Sequence, residues 1–467
     1  MRNGFQFVAR IPYPVTEPKR LLVASEVATL DFLRSHNIPV PKIYGYSPVA
    51  DNAAGTEYIF MELVRGHNLG DIWLQLGEKA RIVVLTKLVE LESRLFALQF
   101  PANGSLYYPE DLEAEMDRVD VPAGAHFEGR RRFCVGPETT LKLWYGRRRN
   151  LRVRRGPYRD PTAALTAGAR KEIAYLTKVG RPLQLFQRLR REIYNYQPQS
   201  HLEHIENLEK YLQIASHLVP PHGSDLARPT IRHPDLQSNN VFVADDLEIT
   251  GLIDWQHCSI LPLFLQCGIP DSFQNYGDVV SESLQTPELP CNFDKLNERE
   301  QFEQVELLRK RQLHYFYVSQ SAKLNPMHYA ALTHDFGTLR RKLFCHASDP
   351  WEGDNITLKM DLIELTRNWS RIVGVDEDCP ITYSQEESDN CLRLYNAQVE
   401  ADEQFQACRD IIGVGPEGWV PSEQYGEAKQ REQKLKADAL EAAESDAERA
   451  TVCENWIFDD FDEEEYM

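Results

Sequence analysis

The stretch that most constrains this chain runs from Arg232 to Gln256, RHPDLQSNNVFVADDLEITGLIDWQ. It carries an H-x-D-x-x-x-x-N run, His233, Asp235 and Asn240, and a further aspartate, Asp254, beyond it. Between them lie two short runs rich in β-branched residues, Val241–Val243 and Ile249–Ile253, with Ala244-Asp245-Asp246 as turn material. This pattern predicts a β-hairpin, and a hairpin brings its two ends together in space. Asp235 and Asn240 at the entry are therefore expected beside Asp254 at the exit. Two carboxylates and an amide oxygen are hard ligands that suit magnesium on nucleotide phosphates. The same residue types also act as ordinary turn formers. The spacing and the hairpin together carry the reading.

With an I-D-W closing it, this stretch resembles the catalytic and metal loops of the aminoglycoside phosphotransferase-like, protein-kinase-like family. There H-G-D or H-P-D stands where protein kinases have H-R-D, and I-D-W or I-D-x where they have D-F-G. The resemblance implies that Asp235 is the catalytic base, that Asn240 and Asp254 are magnesium ligands, and that His233 is a structural brace. It reaches well beyond the loop. ARIPYP (9–14), SEVATLDFLR (25–34), IPVPK (38–42), EYIFMEL (57–63), GSLYY (104–108), the run 249–264, GWVP (418–421) and WIFDD (456–460) all look like a fungal branch of the family. The implied fold is α+β and protein-kinase-like bilobal: a small β-sheet N-lobe, which reads as truncated, and a mostly helical C-lobe holding the catalytic hairpin. The implied cofactors are ATP and Mg²⁺. The implied acceptor is a hydroxyl of a small molecule, and placement in this branch is often mitochondrial.

The start of the chain follows the same comparison. Phe5–Pro12 alternates as a strand does. On the kinase pattern Phe7–Arg10 is the third strand, and its terminal cation contacts the nucleotide phosphates. Arg10 stands where protein kinases have lysine; it is a permanent, forked cation that holds phosphates differently. The apolar spacing of Val23, Val27, Leu30 and Phe32–Leu33 predicts a helix over 24–34, which places Glu26 to pair with Arg10. Tyr58–Leu63 reads as a buried strand, and the resemblance makes Met61, Glu62 and Leu63 the hinge that binds adenine through its backbone. Only seven residues precede Val8, too few for the two strands of a glycine-rich phosphate loop. A late start of the chain is the expectation. No Arg-rich amphipathic presequence precedes Val8 either.

Length and charge bound the rest. At 467 residues the chain exceeds one ordinary domain. Its divisions are expected at 1–66 for the N-lobe, 67–380 for the helical C-lobe with a basic insertion over 126–160, and 381–467 for a helical extension ending in an acidic tail. A net charge of −19 argues against general nucleic-acid binding. No apolar run is long enough to predict a membrane span. The nine scattered cysteines contain no C-x-x-C pair, so neither a zinc site nor a disulfide framework is expected, and a reducing compartment is the natural inference. The sequons at Asn103, Asn355 and Asn368 then read as chance. Helices are predicted over 71–100, with a leucine stripe at 85, 88, 91, 95 and 98, and over 162–179, 184–218, 300–322, 326–345, 358–372, 385–412 and 424–454. Residues 130–155 hold ten Arg or Lys against the single acid Glu138, and read as a solvated insertion pairing with the acidic surface.

Two functions follow. The first is ATP-dependent transfer of a phosphoryl group to a small-molecule hydroxyl, with nucleotide and acceptor as the partners. The alternative is a non-catalytic pseudokinase acting as a mitochondrial binding or assembly protein, so a protein partner stays open. A protein kinase is disfavoured, because no A-P-E segment follows Asp254.

Overall fold

The computed structural model describes residues 4–13, 16–122, 132–221, 223–374, 377–415, 418–460 and 466. Arg130 and Arg131 of the basic segment and residues 461–465 of the acidic tail lie outside the described residues. The chain divides into two compact units that do not follow sequence order. The first comprises Met1–Tyr145, Arg152–Ala167 and His217–Arg341; the second comprises Gly146–Leu151, Gly168–Ser216 and Lys342–Met467.

In the first unit, three antiparallel strands form a sheet in the order β1 (Phe7–Arg10), β3 (Tyr58–Glu62), β2 (Ile43–Ser47). Register pairs Arg10 with Ile59 and Val8 with Met61. Helix α1 (Lys19–Ser35) begins a turn and a half earlier than its apolar spacing alone predicts, and it buries Leu22, Val23, Val27, Leu30 and Leu33. The predicted hairpin forms between Val241–Val243 and Ile249–Leu252, antiparallel with a bulge between Ile249 and Gly251. A short strand β4 (His67–Asn68) joins its other edge. Gly66, just before β4, has a φ of +118°, and a Cβ there would lie 2.4 Å from the carbonyl oxygen of Val243, so the crossing into the hairpin sheet requires glycine.

One continuous core joins these parts. It contains Val27, Leu30, Ile59 and Met61 of the small sheet and its helix, the leucine face Leu85, Leu88, Leu91 and Leu95, and Val241, Val243, Leu252 and Trp255 of the hairpin. The long helix expected over 71–100 is instead two short turns, Leu69–Ile72 and Trp73–Gln75, followed by helix Glu78–Phe96. Gly77 is the residue at the break, where a helix start is cheap.

In the second unit the helix expected over 184–218 is also broken. A 3₁₀ segment, Arg188–Tyr194, ends at Asn195 and Tyr196, both in the left-handed region, and helix His201–Ile214 starts afresh with Ser200 capping the Leu202 N–H. In the first unit the helix expected over 326–345 likewise splits, around Phe336 at φ +55°, into Pro326–Leu332 and a helix Gly337–Ser348 that runs on past Arg341. In the second unit helix Gln385–Ile412 packs on Ile356–Arg367 and on the 188–194 segment, through a small core of Ile356, Ile363 and Cys391. Among the described residues no helix is long and apolar enough to cross a membrane, and the nine cysteines are free thiols.

The basic segment departs from its expected character. Arg148 is fully buried, with Nε 2.7 Å and Nη2 2.5 Å from the two oxygens of Glu172, and its guanidinium stacks 3.9 Å from the Tyr175 ring. Arg155 is buried too, stacked 4.0 Å from the Trp144 ring and donating to the Leu143 carbonyl. These two arginines are packing groups of the interior rather than members of a solvated patch. The planar guanidinium, weakly hydrated and able to stack, explains why arginine tolerates such sites.

Candidate active site

The hairpin does what its pattern predicts, and a histidine locks it. The Asp235 backbone N–H donates to Nδ1 of His233 at 3.1 Å, so the ring proton sits on Nε2, which donates to the Ile253 carbonyl at 2.8 Å. One imidazole thereby ties the loop that enters the hairpin to the residue before Asp254. The ring stands edge-on to the buried indole of Trp255 at 4.6 Å. Burial lowers the His233 pKa to about 4, which keeps it neutral and fixed in this role. A second tie runs from the Ile253 N–H to the Asn240 carbonyl at 3.0 Å.

Asp235 sits in this braced loop. Asn240 donates from Nδ2 to the Asp235 carbonyl at 2.9 Å and to Asp235 Oδ2 at 3.2 Å, and Gln237 donates to the same oxygen at 2.6 Å. The carboxyl lies above its ordinary pKa. Burial is the main cause, opposed by the bonds from Gln237 and Asn240 and reinforced by the negative charges of Asp254 and Asp271. Because the amide nitrogen of Asn240 is spent on Asp235, its amide oxygen remains as the acceptor. Asp254 adopts a left-handed φ of +63°, which aspartate tolerates better than most residues.

Arg10 joins the small sheet to this loop. Its Nη1 lies 3.1 Å from Glu26 Oε1, and its Nη2 lies 2.6 Å from Asp254 Oδ1 and 2.5 Å from Gln256 Oε1. Glu26 is almost completely enclosed, and burial raises its pKa to about 7 against the pull of Arg10 and with a further push from Asp254. The sequence therefore predicted the partners of Arg10 in part: Glu26 is there, and Asp254 and Gln256 are added. Met61 and Glu62 lie within β3. The Glu62 carboxylate accepts from the Lys42 backbone N–H at 3.1 Å and lies 3.5 Å from Arg34, so its side chain braces β2 and α1. Leu63, the first residue past β3, makes no backbone hydrogen bond among the described residues.

Two residues without a predicted role prove central to the loop. Arg232, just before His233, is mostly enclosed, with its side chain 12% exposed. Its Nε lies 2.8 Å from Glu92 Oε1, and its other nitrogens donate to the carbonyls of Gln266 and Gly268. Tyr317 donates to the second oxygen of Glu92 at 2.5 Å. One legible signal existed: Glu92 falls on the apolar stripe of its helix, with Leu88 and Leu95, where a carboxylate needs a buried cation.

The donor set fits magnesium. Asp235, Asn240 and Asp254 offer carboxylate and amide oxygens, and the Asp254 side chain is 44% exposed. Among the described residues no three His, Cys, Asp or Glu side chains form a closed cage. Few protein ligands in an open arrangement suit an ion that keeps waters and shares itself with phosphates.

The profile of the phosphotransferase enzyme family (APH) matches residues 2–264, a span that contains every residue of the cluster, and the chain belongs to that family. It is similar to a subtelomeric hrmA-associated cluster protein of Aspergillus fumigatus, 30% identical over 98% of this chain and 93% of the relative. It is also similar to altered inheritance of mitochondria protein 9, mitochondrial, of Yarrowia lipolytica, at 24% identity over 91% of this chain and 72% of that protein. Among solved structures, the streptomycin–ATP–APH(2″)-IIa ternary complex aligns over 79% of this chain and 87% of that chain, with 12% identity and a TM-score of 0.34. The fold is α+β and of the protein-kinase-like class to which this family belongs.

Proposed function

We propose that the protein is an ATP-dependent phosphotransferase that moves the γ-phosphoryl group to a hydroxyl of a small molecule. The observation that carries this reading is the convergence of Asp235, Asn240 and Asp254 on one hairpin, tied through Arg10 to Glu26. In this assignment Asp235 takes the proton of the acceptor hydroxyl as its oxygen attacks the γ-phosphorus. The bond to the β-phosphate oxygen breaks, and ADP leaves. Asn240 and Asp254 would hold Mg²⁺, which when bound neutralises charge on the phosphates. Arg10, oriented by Glu26, contacts the phosphates, and the backbone at Met61, Glu62 and Leu63 receives the adenine. His233 holds the loop in shape. The raised Asp235 carboxyl suits a proton acceptor better than a fully solvated carboxylate would. The segments 1–66, 67–380 and 381–467 are proposed as N-lobe, C-lobe and extension. Mitochondrial placement is proposed from relatives that carry that name.

A second reading, a binding protein without turnover, rests on one observation: Arg10 already commits its guanidinium to Asp254 and Gln256, groups that phosphates and magnesium would compete for. The two readings separate on Asp235→Asn. A phosphotransferase loses ADP release, by roughly 10²- to 10⁴-fold, and keeps ATP binding. Unchanged turnover in that variant would reject the assignment of the base.

A further inference from the structure

The second unit contains a cavity of about 280 Å³, far in sequence from the phosphotransferase cluster and built from none of its residues. Phe186 and Trp351 supply its apolar wall. Arg190 is the one permanent cation among the lining residues, and it is already committed, to Asp354 at 3.2 Å and to Asp402 at 2.5 Å and 2.8 Å. Asp354 is committed in turn, accepting also from the Ile356 N–H at 2.7 Å and from the Thr357 hydroxyl. These residues are the frame of the cavity.

Two polar side chains in the lining are not spoken for. His204 is 4% exposed, and neither of its ring nitrogens has a hydrogen-bond partner among the described residues. Burial lowers its pKa to about 4, so the ring is neutral and offers one donor and one acceptor. Buried polar atoms are rarely left unmet. Glu352 uses its backbone carbonyl to accept from the Phe186 N–H at 3.1 Å, but its carboxyl makes no hydrogen bond among the described residues. Burial pushes that carboxyl up, against the opposing charge of Arg148. The surplus of acid over uncommitted base in the wall, among aromatic lining residues, favours a cation.

We propose that this cavity binds a small organic cation with an aromatic or apolar body. The cationic head sits against Glu352, the body against Phe186 and Trp351, and a hydroxyl or amide of the ligand meets His204.

The test uses the full chain and three isosteric probes of different charge: tyramine, the neutral tyrosol and the anion 4-hydroxyphenylacetate. In isothermal titration calorimetry tyramine is expected to bind saturably with one site, and tyrosol and the anion about tenfold or more weaker. Glu352→Gln should erase the advantage of tyramine over tyrosol, and His204→Phe should weaken both. Asp235→Asn should leave tyramine binding unchanged. Absence of saturable tyramine binding, or equal binding of all three probes, overturns the proposal. So does tyramine binding that Asp235→Asn abolishes and Glu352→Gln spares, which would place the amine at the phosphotransferase cluster. The charge series on the unaltered chain decides the matter even if a variant fails to fold.

Discussion

Glu26 in the first unit and Glu172 in the second are both buried acids on apolar helix faces, each paired with an arginine, and their protons are held in opposite ways. Glu26 receives one contact, at 3.1 Å, from an Arg10 side chain that is 27% exposed and shared with Asp254 and Gln256. Burial wins there, and the pKa rises to about 7. Glu172 receives Nε and Nη2 of a fully buried Arg148, the Lys171 ammonium at 2.8 Å and the Trp351 backbone N–H at 2.8 Å. Burial would raise this carboxyl as well, but Lys171 and Arg148 outweigh it and hold the pKa at about 2. A buried ion pair stabilises only when every lone pair is met. Glu172 meets that condition and is scaffold. Glu26 does not, because its partner Arg10 is shared with Asp254 and Gln256.

Breaking the scaffold pair should cost most. Glu172→Ala leaves Arg148 and Lys171 as like charges in the interior, and a loss of about 3–5 kcal/mol is expected in urea unfolding. Glu26→Gln should cost far less at pH 7 and above, because the ionised form it replaces is already disfavoured by burial. Equal losses for the two variants would erase the distinction.

The pH dependence sharpens it next. For Glu26 the folded pKa, about 7, lies above the unfolded 4.5, so the folded state holds its proton longer and stability falls as pH rises from 4.5 to 7. For Glu172 the folded pKa, about 2, lies below 4.5, so its contribution is present above pH 4.5 and is lost as pH falls toward 2. Each is a term of roughly 3 kcal/mol with opposite slope. Unfolding curves of Glu26→Gln and Glu172→Gln against the parent, from pH 3 to 8, should show these two slopes removed one at a time.

Ligand binding then probes the unsatisfied member. Saturating Mg-ATP, at about 100 times its dissociation constant, should stabilise the chain by roughly 2.7 kcal/mol, and Asp254→Ala should abolish the magnesium-dependent part. A thermal scan that shows no shift in the parent favours the binding protein without turnover. Smallest of all, Arg10→Lys should change stability by less than about 1 kcal/mol, because its pairs are partly solvated. Arg148→Lys loses the bidentate contact and the Tyr175 stack, and about 1–3 kcal/mol is expected.

Much of the candidate site was legible because its residues are close together in sequence. His233, Asp235, Asn240 and Asp254 lie within one hairpin, so spacing alone predicted that they meet. Glu26 and Arg10 required the family resemblance to connect them. Three acids illustrate what was half legible: Glu26 between Leu22 and Leu30, Glu92 between Leu88 and Leu95, and Glu172 between Ala169 and Leu176 all interrupt an apolar helix face. Each position announces a partner cation. None announces which one, and the answers, Arg10, Arg232 and Arg148, come from distant turns of the chain. The helix breaks at 195–196 and 336 were missed because non-glycine residues adopt left-handed backbone there, which local propensity disfavours.

The amino-acid sequence by itself determined where helix and strand character lies, the hairpin and the chemistry at its ends, because periodicity and turn residues act over a few positions. Only the tertiary structure decided which arginines left solvent, how far each buried acid is satisfied, and that His204 and Glu352 face a cavity. Burial and the partners of a charge are properties of packing, set by contacts between residues that sequence distance does not relate.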